Sequence, residues 1–218
     1  MGRAVVFGYT VWCMTFADTE RKKLAQLFTE VGPDAPTLCE GWAARDLAAH
    51  LYVRENDPLS AAGMMVGPLE GRLDNAMEKQ KSRDYAELVR DWSAGPGKLN
   101  PMRLMDPLVN GVEHFVHHED LRRGDGVARP REFDAETTEM LLGRLKQMAP
   151  MLLRGSDKPV ILTPTGGVPI VVGAKRGVAE RGDDVVRVSG APGELLLWAF
   201  GRDAVEVTME GDERSVNR

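Results

Sequence analysis

The nine residues from Val112 to Asp120, "VEHFVHHED", carry three of the chain's four histidines together with three carboxylates, and the fourth histidine, His50, stands alone in "RDLAAHLYVRE". Imidazoles and carboxylates at this density are the ligand types of a divalent metal site. A helix places residues i and i+4 on one face, so two offset pairs are able to chelate. One pair is Glu113 with His117, the other His114 with His118.

The helical turn of about 100° per residue separates the two registers. Met105, Leu108, Val109, Val112, Phe115 and Val116 define one apolar face. Glu113 and His117 border that face, with Asp120 beside them one turn on, either an acceptor for a ligand imidazole or simply a polar residue late in the helix. His114 and His118 project from nearly the opposite side and are expected in solvent or in surface contacts. A buried metal belongs where the helix meets its neighbours, which selects Glu113 and His117. His50 passes the same test, because Leu47, Ala48 and Leu51 mark a buried stripe and His50 flanks it. One ligand from one helix and an i, i+4 pair from another is how metal sites arise inside helical bundles. Two imidazoles and one carboxylate leave coordination positions open, as in catalytic rather than structural centres. Zinc suits the set; nickel and iron(II) also accept it.

The elements that must position these residues fall into two groups. From Thr15 to about Arg154 the apolar spacing is helical, beginning with Leu24, Leu27, Phe28 and Val31 behind the capping candidates Thr15 and Asp18. "ARDLAAHLYVREN" predicts a second helix, "LEGRLDNAMEKQK" a third, and "SRDYAELVRDWSAG" a fourth, capped by Ser82 and closed near Gly95. "DPLVNGVEHFVHHEDLRR" follows, then a helix capped by Asp134 and stopped by Gly155. After Gly155 the period changes. "PVILTPTGGVPIVVGA" predicts a hairpin turning at Gly166 and Gly167, and "DDVVRVSG" and "AVEVTMEG" two more strands around the helix "GELLLWAFGR". The expected fold class is α+β: a four-helix bundle with additional short helices, then a small α+β domain. The boundaries are an N-terminal extension over 1–14, the bundle over 15–155 and the tail over 156–218, with Met14 an alternative start.

Composition narrows the function classes. A net charge of -5 argues against a sequence-independent grip on nucleic acid and against attraction to anionic membranes. No apolar run approaches the roughly 20 residues of a spanning helix. Two cysteines, Cys13 and Cys39, make neither a disulfide framework nor a cysteine-rich zinc site, so a cytoplasmic location is expected. Cys39 is expected to be a small, partly buried residue. The Arg-Gly-Asp strings at Arg123 and Arg181 are expected to be turns.

Two segments resemble a known family. "TLCEGWAARDLAAHL" is similar to the Gly-Trp, Asp-Leu, His-Leu segment of the DinB-like superfamily, in its mycothiol-dependent maleylpyruvate isomerase-like branch of actinobacteria. "EHFVHHED" resembles that branch's second signature, Glu-x-x-x-His-x-x-Asp, and "VRVSGAPGELLLWAFGR" its C-terminal segment. The resemblance implies a DinB-like bundle in which His50, Glu113 and His117 bind a divalent metal. It further implies mycothiol as thiol cosubstrate, bound between bundle and tail, and a thiol transferase or isomerase acting on a small electrophile. The alternative is a non-catalytic metal-binding or stress-response protein that binds small molecules. Arg54, one turn after His50, and Arg202 are candidate helpers outside the catalytic set. The sequence leaves the oligomeric state open between a monomer and a homodimer, although helical bundles of this kind often pair.

Overall fold

The computed structural model describes residues 15–64, 66–97, 107–173 and 184–218. The extension expected over 1–14, with Cys13, lies outside the described residues, as do Met105, Arg181 and the side chains of Leu108 and Val109.

The chain is α+β. Helix α1 (Phe16–Val31) starts at Thr15, whose side chain and that of Asp18 form a reciprocal capping box. Helix α2 (Ala44–Asn56) carries His50, and Asp46 accepts the Ala43 N–H at 3.0 Å at its start. A short α3 (Pro58–Ala61) leads to α4 (Glu70–Lys81). Helix α5 (Tyr85–Ser93) begins two residues later than the sequence suggests. Asp84, not Ser82, is its N-cap, accepting the Glu87 N–H at 3.0 Å. Aspartate and serine rank alike as caps, but Ser82 instead closes α4, its hydroxyl donating to the Lys79 carbonyl at 2.9 Å. Helix α6 (Pro107–Arg122) carries the histidine cluster, and α7 (Ala135–Leu152) follows, capped by Asp134.

The tail builds one mixed sheet in the order β2-β1-β3-β4, from β1 (Val160–Pro164), β2 (Ile170–Val172), β3 (Val186–Gly190) and β4 (Val207–Glu210). β1 and β2 pair antiparallel across the expected turn, where Gly166 takes φ +74°, a value that favours glycine. β1 and β3 run parallel, β3 and β4 antiparallel. Helix α8 (Pro192–Ala199) is buried along its whole length, as its near-continuous apolar sequence demands. No helix among the described residues is long and apolar enough to cross a membrane.

Buried apolar side chains gather in two clusters. Leu24, Phe28, Leu47, Leu51, Leu88, Trp92 and Leu121 fill the space among α1, α2, α5 and the end of α6. Val112, Phe115, Val116, Leu141, Leu145, Val160, Val188, Leu195 and Trp198 join α6 and α7 to the sheet and α8. α6 contributes to both and is covered on opposite sides. That position corrects one expectation. His114 and His118 are not in solvent: they are 1% and 6% exposed, facing α1 and α2. His114 Nε2 lies 3.0 Å from Glu55 Oε1 and its Nδ1 3.0 Å from the Ala17 carbonyl, while His118 Nδ1 lies 2.8 Å from Glu20 Oε2. The single-face analysis fails because a central helix has no solvent side, and its polar positions find buried carboxylates instead.

Candidate metal centre

Helix spacing on α6 puts Glu113 and His117 one turn apart, and α2 brings His50 against them. Both imidazoles aim Nε2 at one oxygen of Glu113: His117 at 3.2 Å and His50 at a longer 3.5 Å. The two rings meet edge to face with centroids 5.1 Å apart, and the Trp42 ring centroid also lies 5.1 Å from that of His50. Donor atoms of His50, Glu113 and His117 all lie within 4.8 Å of one another. The three sequence-selected residues therefore converge from two helices on one point, and the His114 and His118 register does not share it.

Charge states follow from the surroundings. Burial depresses the His50 pKa, which keeps its imidazole neutral and its lone pair available. Burial opposes ionisation of Glu113, but hydrogen bonds from His117 and His50 and the nearby Arg54 charge hold its pKa well below the ordinary value. Burial likewise opposes the charged form of His117, yet Asp120, Cys39 and Glu113 hold its pKa well above the ordinary value. Both His117 nitrogens face carboxylates, which only accept, so both donate. A metal ion held at this point would take the place of the Nε2 proton of His117, with Nδ1–H still donating to Asp120. The donor set fits a divalent cation: one neutral imidazole, one imidazole oriented by a carboxylate, and one ionised carboxylate.

Asp120 is fully buried and is the junction behind the site. It accepts from His117 Nδ1 at 2.9 Å and receives Arg202 in a bidentate pair, Nε at 2.8 Å and Nη2 at 2.7 Å. Burial would raise the Asp120 pKa; Arg202 and His117 outweigh it and bring it to about 2. The Asp120 backbone carbonyl also accepts the Leu38 N–H at 3.0 Å, docking the loop before α2. Arg202, a candidate helper in the sequence, is thus committed to Asp120. Arg54 lies beside the site, with Nε 3.1 Å from Glu113 Oε1 and Nη1 donating to Asn110 at 3.1 Å. Cys39 is closer to the site than its sequence context suggests, with Sγ 3.3 Å from Asp120 Oδ2. No periodicity links loop residue Cys39 or tail residue Arg202 to α6, so sequence spacing offers no signal for either contact. A cavity of about 250 Å³ opens against His50 between α2 and α4, walled by Trp42, Leu73 and Met77 and edged by Asp46, Asp74, Glu78 and Lys81.

No family model matches the chain, and no curated protein does. Two solved structures match it over nearly their whole length. One is the mycothiol-dependent maleylpyruvate isomerase, with a TM-score of 0.61 at 17% identity, covering 94% of this chain and 95% of that chain. The other is a point mutant of the same enzyme, with a TM-score of 0.61 at 16% identity and the same coverage. The likeness is one of fold. It spans helices and sheet together, so the α+β arrangement around the site belongs to a fold already seen in a thiol-dependent isomerase.

Proposed function

We propose that this chain is a divalent-metal-dependent thiol transferase or isomerase that uses a low-molecular-weight thiol, mycothiol, against a small electrophile. The observation that carries the proposal is the convergence of His50, Glu113 and His117 donors within 4.8 Å, in a fold similar to that of a mycothiol-dependent isomerase. In this proposal residues 15–155 are a DinB-like four-helix bundle that holds the metal and 156–218 a small α+β unit that braces it. Residues 1–14 are an N-terminal extension to which the proposal assigns no role. In this reading the protein works in the cytoplasm.

His50, Glu113 and His117 hold the cation, zinc being the best match to two imidazoles and a carboxylate. A cation so held is a Lewis acid that favours the thiolate of an incoming thiol and so a strong nucleophile at neutral pH. The chain's own residues do the rest. Asp120 keeps the proton of His117 on Nδ1 and turns Nε2 toward the site. Arg202 neutralises Asp120 so that this carboxylate remains ionised in a buried place. Arg54 balances Glu113. Trp42 packs beside His50 and, with Leu73 and Met77, walls a cavity with room for a small molecule.

The test is turnover. Zinc-loaded protein with mycothiol and a generic electrophile is expected to consume thiol at a rate that disappears in His50→Ala and on chelation. A protein that binds one metal per chain yet shows no thiol-dependent turnover would instead be a metal-binding module without catalysis.

A further inference from the structure

His117 presents each of its nitrogens to a different set of metal-ligating groups. Nε2 faces Glu113 and His50, whereas Nδ1 lies 2.9 Å from Asp120 Oδ2. The Cys39 thiol lies 3.3 Å from that same oxygen. The donor atoms of Cys39, His117 and Asp120 all lie within 4.8 Å of one another, a second group of three that shares only His117 with the first. The two groups differ in softness: the second contains sulfur, the first only nitrogen and oxygen. The second place already holds a positive charge. The Arg202 guanidinium pairs with both oxygens of Asp120 and sets Nη2 3.8 Å from Cys39 Sγ.

We propose that Cys39, Asp120 and Nδ1 of His117 form a second metal position, selective for thiophilic divalent ions such as cadmium. Arg202 supplies the positive charge there when no such ion is bound. Binding would form metal bonds to Sγ of Cys39, Nδ1 of His117 and an oxygen of Asp120, send the thiol proton and the Nδ1 proton to solvent and move the guanidinium off Asp120; no electron is transferred.

The shared imidazole makes the two positions exclusive. A neutral imidazole has one proton and one free lone pair. A metal on Nε2 keeps the proton on Nδ1, donated to Asp120. A metal on Nδ1 puts the proton on Nε2, donated to Glu113. The chain therefore takes one ion at a time, and a soft ion draws His117 away from His50 and Glu113. The inference goes beyond the proposed function, since it holds whether or not a thiol is turned over.

The experiment uses the full chain carrying Cys13→Ser, which leaves Cys39 as its one thiol. Cadmium chloride is titrated while thiolate-to-cadmium absorption is followed in the near ultraviolet and bound metal is counted by elemental mass spectrometry. The absorption is expected to rise to saturation at one ion per chain and to survive His50→Ala. It is expected to vanish in Cys39→Ser, which still takes one ion through His50, Glu113 and His117. In protein loaded with zinc, cadmium is expected to displace zinc rather than add to it. Arg202→Ala, which removes the competing cation, is expected to lower the half-saturating cadmium concentration, and circular dichroism shows that each variant is folded. Absence of the absorption in the parent, its persistence in Cys39→Ser, two ions per chain at saturation, or weaker cadmium binding in Arg202→Ala would each overturn the proposal.

Discussion

Asp120 decides how firmly His117 is aimed. Its carboxylate holds Nδ1 from one side and Arg202 from the other, while the helix fixes its distance from His117 at one turn. Asp120→Asn keeps the shape but removes the charge that orients the imidazole. Metal affinity of that variant, measured by competition with a chelating dye, is expected to fall by about 10- to 100-fold, the usual cost of losing such a partner. An unchanged affinity would mean that His117 is oriented by packing alone. The two proposed ligands on α6 are legible from spacing because helix periodicity ties Glu113 to His117 without any knowledge of the rest of the fold. The residues behind them are not. Arg202 reaches Asp120 from 82 positions away, and Cys39 arrives on a loop, so each contact is a product of tertiary packing.

At the scale of elements, boundaries depend on which polar side chain reaches a free helix N–H. Ser82 and Asp84 both stand ahead of α5, and either is a good cap by type. In the structure the Asp84 carboxylate accepts from Glu87, and Ser82 serves the end of α4. Asp84→Ala is expected to lower stability by about 1 kcal/mol in urea unfolding, and Ser82→Ala by markedly less. Equal losses would return the cap to Ser82. The change from helical to alternating period after Gly155 was legible in sequence, and so was the hairpin at Gly166. The environment of α6 was not. Val112, Phe115 and Val116 mark one buried face, but nothing in their spacing reveals that α1 and α2 cover the other, where His114 and His118 are held by Glu55 and Glu20.

Across the whole molecule, buried ion pairs link the helices to the tail. Glu20 on α1 binds His118 on α6 and Arg131 in the segment before α7, while Arg123 at the end of α6 grips Glu194 on α8 through both guanidinium arms. Burial alone would raise the Glu20 pKa; the His118 and Arg131 hydrogen bonds win and bring it down from 4.5 to about 2. A carboxylate whose folded pKa lies below its unfolded one contributes stability above the unfolded value and loses it as pH falls through the folded value. The Glu20 contribution, about 3 kcal/mol at most by linkage, is therefore full above about pH 5 and gone near pH 2. Glu20→Gln is expected to be less stable at neutral pH and to show a flatter stability profile between those limits in denaturant titrations. A variant profile parallel to that of the parent would contradict this assignment.

The central claim is that His50, Glu113 and His117 hold a metal and that the His114 register does not. The most direct measurement is bound metal by elemental mass spectrometry on protein purified without an affinity tag or added metal, beside folded His117→Ala and His114→Ala separated by size exclusion. Near-stoichiometric metal in the parent, lost in His117→Ala and kept in His114→Ala, is the predicted result. Metal kept in His117→Ala and lost in His114→Ala would contradict the account and move the centre to the other side of the helix.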